Sequence, residues 1–113
     1  MVSFEELVEH LQEVPFDELR KKYEGYFEFV VSNQHLPLIC SHFEDYYGLP
    51  FKPAGMAPNS KAQNLTKNFG GIQTQQTLYY SQREEHLDCA MVWPWGDGKH
   101  VTVKMAQGKI GEV

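Results

Sequence analysis

The sequence has few of the features that a metal-stabilised, disulfide-bonded or membrane-spanning protein needs. It holds two cysteines in 113 residues, and the C-x₂₋₄-C and H-x₃₋₅-H pairs of structural zinc sites are absent. No apolar run approaches the roughly 18 residues of a membrane span. The N-terminal stretch "MVSFEELVEHLQEV" is acidic and amphipathic, unlike a secretory signal. We therefore expect reduced thiols, a cytoplasmic location and no membrane association.

Positive charge is also scarce. Ten Lys and Arg against fifteen Asp and Glu give a net charge of −5, and the longest basic run is "RKK" at 20–22. Binding to nucleic acid normally needs a positive stripe that displaces counterions from phosphates. The sequence therefore predicts that nucleic acid is not a partner.

The composition is that of an ordinary globular chain. Hydrophobic residues make up 42% and aromatic residues 13%, which is enough to fill one core at this length. We therefore expect a single α+β domain over residues 1–113.

The first half of the chain predicts three helices and a strand. Ser3 and Glu6 have the spacing of a capping box, which marks a helix start, and an apolar stripe follows them. A second helix is predicted over 16–23, because apolar side chains recur there at helical spacing. The alternating pattern of "YFEFVVS" predicts a strand over 26–32, and a third apolar stripe predicts a helix over 34–47.

The second half predicts a long loop and a three-stranded antiparallel meander. Segment 48–71 is rich in Pro, Gly and Asn, and connections of this length are uncommon and usually functional or mobile. Turns are predicted at Arg83-Glu84 and at 96–98, where glycines permit a three-residue hairpin loop. This hairpin loop predicts three cross-strand pairs: Trp93 with Val101, Met91 with Val103, and Cys89 with Met105.

Together these elements predict a two-layer sandwich of the α+β class. Its sheet is mostly antiparallel and four-stranded, with the N-terminal helices and one crossover helix packed on one face. The element order is α-α-β-α-β-β-β, with the irregular loop 48–71 before the last three strands. The position of strand 26–32 within the sheet is left open by the sequence.

Two short stretches, "CSH" (40–42) and "EEHLDC" (84–89), suggest a metal site or a Cys–His pair. Alternation along a strand points His86 and Cys89 to opposite faces, and Cys40 and His42 diverge by about 200° on a helix. Phosphate-cradling and serine-nucleophile motifs are also absent. We therefore predict core thiols, no metal ligands, no cofactor and no catalytic residues, although an enzyme is not excluded.

A ligand pocket is one possible function. It would lie between helix 34–47 and loop 48–71, with aromatic and polar side chains converging on a cavity. Its only acid–base group near neutral pH would be a histidine. The candidate lining is His42, Tyr46, Tyr47, Phe51, Lys52, Met56 and Asn59. In this interpretation the protein is a small-molecule-binding domain or a small enzyme.

An interaction surface is the alternative that we favour. The outer face of the predicted meander carries small or uncharged groups where a solvated face would carry more Lys and Glu. We therefore expect either a partner chain or loop 48–71 to cover it. The candidate interface residues are Gln75, Thr77, Tyr79, Val92 and Thr102. This interpretation predicts a small non-catalytic module that binds a protein partner or forms a homodimer.

Overall fold

The computed structural model describes residues 3–83 and 86–109, which form an α+β fold. The elements are α1 (Phe4–Gln12), β1 (Glu18–Tyr23), β2 (Tyr26–Ser32), α2 (Leu36–Tyr47), α3 (Ser60–Thr66), β3 (Thr77–Arg83), β4 (His86–Pro94) and β5 (His100–Lys109). Short 3-10 turns precede α2 and follow α3. The α+β class and the antiparallel sheet are confirmed. Glu84 of the predicted turn lies outside the described residues. No helix within residues 3–83 and 86–109 is long and apolar enough to span a membrane.

The sheet has five antiparallel strands in the order β1-β2-β5-β4-β3. The predicted count of four strands is wrong, because the segment predicted as a helix over 16–23 contains strand β1. A tight turn at Glu24-Gly25 connects β1 to β2, and β2 lies between β1 and β5. All six side chains of β1 are exposed. The helical spacing of apolar residues in this segment therefore does not correspond to a buried helix face.

The predicted register of the β4–β5 hairpin is wrong by one residue. Trp93 lies opposite Thr102, where Val101 was expected, and the same shift applies along the whole hairpin. The connecting loop spans 96–99 rather than 96–98. It is stabilised by the Asp97 carboxylate, which accepts two backbone hydrogen bonds from the residues that close the loop.

Both faces of the sheet are apolar and both are covered, which corrects the prediction that helices pack on one face only. Helices α1 and α2 pack on the first face, which we call the α1/α2 face. Helix α3 and its flanking segment pack on the second, which we call the α3 face. The α1/α2 face contains Phe27, Phe29, Val31, Tyr79, Ala90, Val92, Val101, Val103 and Met105. The α3 face contains Leu78, Leu87, Cys89, Met91 and Ala106.

Segment 48–71 is not wholly irregular, because it contains α3 and is fixed to the sheet. The Asn59 side chain caps α3 by accepting a hydrogen bond from the Ala62 N–H at 2.8 Å. Lys52 is 2% exposed, and its backbone pairs with Leu78 of β3. Its ammonium donates to three backbone carbonyls at 3.1, 2.6 and 2.5 Å, those of Pro53, Thr74 and Gln76. This segment therefore forms a third layer of the fold.

Candidate functional site

The residues predicted to line one pocket lie on opposite faces of the sheet. Those on α2 belong to the α1/α2 face, and those on the segment before α3 belong to the α3 face. The first group is His42, Tyr46 and Tyr47, and the second is Phe51, Lys52, Met56 and Asn59. The structure therefore does not bring the predicted pocket together, because the sheet separates its two walls.

Several of these residues have structural roles instead. The Tyr46 hydroxyl donates to the Asp88 carboxylate, which is 1% exposed and also accepts from the Gln107 amide at 2.9 Å. Phe51 packs edge-to-face on Tyr80 with ring centroids 5.1 Å apart. The Lys52 ammonium and the Asn59 side chain are held by the backbone contacts described above. Met56 is exposed, and the His42 ring lies 6.1 Å from that of His10 on α1.

The predicted interface residues do not share one exposed face. Tyr79 and Val92 are buried under α1 and α2, at 2% and 3% exposure. Thr102 lies on the opposite face, where its hydroxyl accepts a hydrogen bond from the Trp95 indole at 2.8 Å. Thr77 is half-buried and Gln75 is exposed just before β3. The one-residue shift of the hairpin divides this set, because it moves each side chain of β5 to the other face relative to β4.

The two thiols are poor nucleophiles. Burial raises the pKa of the Cys89 thiol to about 12. Burial also raises the pKa of Cys40, although a hydrogen bond with Tyr79 opposes this effect. Both groups are therefore protonated near neutral pH, where only the thiolate attacks or binds a metal. In the described part of the chain, no group of three His, Cys, Asp or Glu side chains could hold a metal ion.

Thiol labelling tests this arrangement. At neutral pH, we expect a disulfide reagent to react slowly with the half-buried Cys40 and to reach Cys89 only when the protein unfolds. The absorbance of the released thiolate, with and without guanidinium, measures both rates. In a Cys40→Ser variant, the native protein should show almost no reaction. A remaining thiol that reacts as fast as free cysteine would contradict the burial of Cys89.

A groove of about 470 Å³ lies between α1 and the β1–β2 turn. Its floor is apolar and buried, formed by Phe4 and Val8 of α1. Residues 22–26 of the β1–β2 hairpin form the opposite wall. The rim is polar and consists of Glu5, Glu9, Gln12, Lys22 and Glu24. A concave apolar site of this volume with a few polar groups is typical of ligand-binding sites.

The local sequence explains how α1 forms one side of the groove. Ser3 and Glu6 form the predicted capping box, in which the Ser3 hydroxyl accepts from the Glu6 N–H at 3.1 Å. The helix therefore starts at Phe4, which is four residues before Val8. Side chains four apart share a helix face, so these two residues form the floor. Glu5 and Glu9 have the same spacing and border the floor from one side.

The β1–β2 turn forms the other side. Gly25 has a φ of +79°, which glycine adopts without strain, and its carbonyl accepts a hydrogen bond from the Gln107 N–H at 2.9 Å. This contact ties the turn to the end of β5. Tyr23 and Tyr26 stack across the hairpin with ring centroids 5.3 Å apart. Tyr26 in turn stacks on Phe69, so the Tyr23 ring lies on the α3 face, across the sheet from α1.

Charge is distributed unevenly between the two helical layers. Residues 3–13 and 36–47, which contain α1 and α2, include four and two acidic residues and no Lys or Arg. Residues 48–76, on the α3 face, include three Lys and no acid. The net charge of the whole chain hides this separation. The groove therefore opens beside the layer of α1 and α2, which carries carboxylates and no Lys or Arg.

The sequence prediction missed the groove because it made 16–23 a helix. The stretch "YEGYFEF" (23–29) did carry a signal. Glycine at the second position of a two-residue loop, followed by alternating aromatic residues, is typical of a hairpin.

Comparison of the chain with protein-family models, curated proteins and solved structures finds no match.

Proposed function

We propose that the protein is a small non-catalytic binding module and that its binding site is the groove between α1 and the β1–β2 turn. The observation that carries this proposal is a concave site with a buried apolar floor, formed by Phe4 and Val8, and a polar rim. The groove would therefore offer a partner apolar area together with polar groups that fix its orientation.

The chemistry of the groove favours binding over catalysis. Among residues 3–83 and 86–109, its lining contains no Ser, Cys or His, the residues that most often serve as nucleophile or general base. Its polar groups are carboxylates, one amide and one ammonium, which suit recognition of a charged partner. We propose a protein partner. We also propose a cytoplasmic location, which fits two cysteines that form no disulfide.

This proposal replaces both surfaces that the sequence suggested. The pocket between helix 34–47 and segment 48–71 has no support, because the sheet separates its walls. The residues predicted for self-association do not form one exposed surface, because Tyr79 and Val92 lie beneath α1 and α2 and Thr102 lies on the α3 face.

A fragment screen by nuclear magnetic resonance tests where ligands bind. We expect aromatic and charged fragments to shift the backbone amide resonances of residues 4–9 and 22–26, and Glu9→Ala at the groove rim to reduce the shifts caused by cationic fragments. Glu44→Ala is a matched control, because Glu44 is also an exposed glutamate but lies on α2. Hits that cluster on another surface, or cationic hits that Glu9→Ala leaves unchanged, would refute the groove as the binding site.

A further inference from the structure

We propose that the partner is an extended protein segment that pairs with the free edge of β1 as a further strand of the sheet, with acidic and apolar side chains in alternation. This inference rests on the proposed function, because it takes the groove beside β1 as the site of a protein partner and names how that partner binds. It is carried by the open edge of β1, by the charges on the two sides of that edge and by the groove next to it.

The two edges of the sheet differ in what covers them. β3 forms one edge, and segment 48–71 pairs with it. The Lys52 N–H donates to the Leu78 carbonyl at 3.1 Å, and the Leu78 N–H donates back at 2.9 Å. β1 forms the other edge and, within residues 3–83 and 86–109, pairs only with β2. An edge of this kind presents a row of backbone donors and acceptors with which an extended segment can pair.

One side of the β1 edge carries two cations. Tyr23 lies opposite Tyr26 and faces the α3 side with it, and Lys21, two residues earlier, faces the same side. Arg20 lies at a bulge in the strand and also reaches this side, where its guanidinium lies 5.7 Å from the Trp95 ring centroid. Both cations are exposed, so acidic side chains of an added strand would lie beside them.

The other side of the edge is apolar and bordered by carboxylates. Leu19 lies opposite Phe29, faces the α1/α2 side and is 45% exposed. Beside the end of β1, the groove adds its floor of Phe4 and Val8. The carboxylates that α1 contributes to the groove rim would repel an acidic side chain on this side. An added strand therefore needs acidic residues on the α3 side and apolar residues on the α1/α2 side.

Alternation along a strand meets both requirements at once. Successive side chains of a strand point to opposite faces. A segment in which Asp or Glu alternates with Val, Ile or Leu thus presents acid to Arg20 and Lys21, and apolar groups to Leu19 and the groove. Opposite charges on neighbouring strands stabilise pairing, whereas like charges directly opposite destabilise it. The edge would therefore accept an acidic segment and reject a basic one.

A second copy of the chain is a poorer occupant of this edge. In the antiparallel register that pairs all six residues of β1 with another β1, Arg20 of each copy lies opposite Lys21 of the other. Like charges at these positions oppose pairing. Lys and Arg on an edge strand are typical protection against self-pairing, and they give no such protection against an acidic strand.

Two fluorescent peptides of the same composition test the alternation. In the first, glutamate and valine alternate over about eight residues, and in the second all glutamates precede all valines. We expect the alternating peptide to raise fluorescence anisotropy on binding, to shift the amide resonances of 4–9 and 18–26, and to slow hydrogen exchange of amides in β1. We expect the second peptide to bind at least about tenfold more weakly.

N-methylation tests whether backbone pairing holds the segment. Successive N–H groups of a strand point to opposite edges. One version of the alternating peptide is methylated on the amides of its glutamates and the other on those of its valines, so each loses the donors of one edge. We expect one version to lose binding and the other to retain it. Equal affinities would overturn the inference, because attraction between side chains does not depend on which edge is blocked.

Two double variants locate the charged contact. Arg20→Gln with Lys21→Gln removes two cations from the β1 edge, whereas Lys61→Gln with Lys67→Gln removes two exposed cations from α3 and the turn that follows it. We expect the first to raise the Kd of the alternating peptide about fivefold and the second less than about twofold, since screened charges act over short distances. Thermal melts verify that both variants fold. An equal loss of affinity in the two variants would contradict docking at β1.

The outcomes also distinguish this inference from the proposed function. If fragments shift residues 4–9 but the alternating peptide leaves the β1 amides unprotected, strand addition is refuted and the groove stands. If the peptide protects β1 while neither it nor any fragment shifts residues 4–9, strand addition stands and the groove is refuted as the binding site. If sedimentation shows a dimer whose β1 amides are protected without peptide, the occupant is a second copy and the inference falls.

Discussion

Lys52→Met is expected to lower the free energy of unfolding by about 3 kcal/mol. The Lys52 side chain is 2% exposed, and its ammonium donates to three backbone carbonyls. Methionine keeps most of the apolar stem but removes every donor, so carbonyls near the start of β3 lose their partner. Leaving a buried polar group unpaired costs its full desolvation penalty, and bonds from a charged donor are among the stronger ones. Urea denaturation followed by circular dichroism measures the change.

Lys67→Met is the matched control for this result. Lys67 lies on the same face, in the turn that follows α3, but its side chain is exposed. A substitution at such a position usually changes stability by less than about 0.5 kcal/mol. If Lys52→Met were as stable as this control, the cost of burying the ammonium would equal the gain from its three hydrogen bonds, and Lys52 would not fix segment 48–71 to the sheet.

Gly25→Ala is expected to destabilise the protein by about 2–3 kcal/mol and to weaken ligand binding at the groove. The backbone φ of +79° is unfavourable for alanine. In addition, an added Cβ would lie 2.9 Å from the Gln107 carbonyl oxygen, which is backbone and cannot rotate away. The turn must therefore shift, and with it residues 22–26, which line the groove. Thermal denaturation and the fragment titration measure the two effects separately.

Gly98→Ala separates the cost of the φ angle from the cost of the contact. Gly98 has a similar φ of +70°, but no atom lies within 4 Å of an added Cβ. We expect a loss of about 1 kcal/mol and no effect on the groove, which lies on other elements. Equal destabilisation by the two substitutions would show that the contact with Gln107 carries no cost.

Most elements were predictable from local patterns, but β1 and α3 were not, and β1 shows where such patterns fail. The capping box, strand 26–32 and the helix within 34–47 all follow from side chains that the fold buries. Segment 16–23 also carries apolar residues at helical spacing, but Leu19 and Tyr23 are 45% and 63% exposed. Hydrophobic periodicity predicts a helix or a strand only where the periodic apolar side chains are buried. Here the tight turn at Gly25 and pairing with β2 determine the backbone instead.

The register error has a different cause. The sequence argument placed every large apolar residue of β4 and β5 on one face, on the assumption that the other face was solvated. In the structure, residues 87–92 are all buried, because α3 covers the face opposite α1 and α2. A strand that is apolar on both sides cannot set its register by alternation. The covering layer is segment 48–71, which the low charge of the outer face had suggested as one of two possible covers but which the register argument did not use.

The sequence placed the candidate site wrongly, and the two errors contributed separately. The pocket predicted between helix 34–47 and segment 48–71 required the two to lie on one face, and the covered second face forbids this. The groove required a hairpin where a helix was predicted. Individual lining residues such as Glu5 and Glu9 were visible on α1, but nothing local placed the β1–β2 turn opposite them.

The separation of charge between the two helical layers gives the molecule an electric dipole moment. Carboxylates on α1 and α2 form the negative end. The positive end includes Lys61, Lys67 and Lys104, together with Arg20 and Lys21, which lie near Lys104. A charged partner exerts a torque on such a dipole before any contact forms. A basic surface would thus orient the protein so that α1 and the groove beside it face the partner. Productive encounters would then be more frequent than random orientation allows.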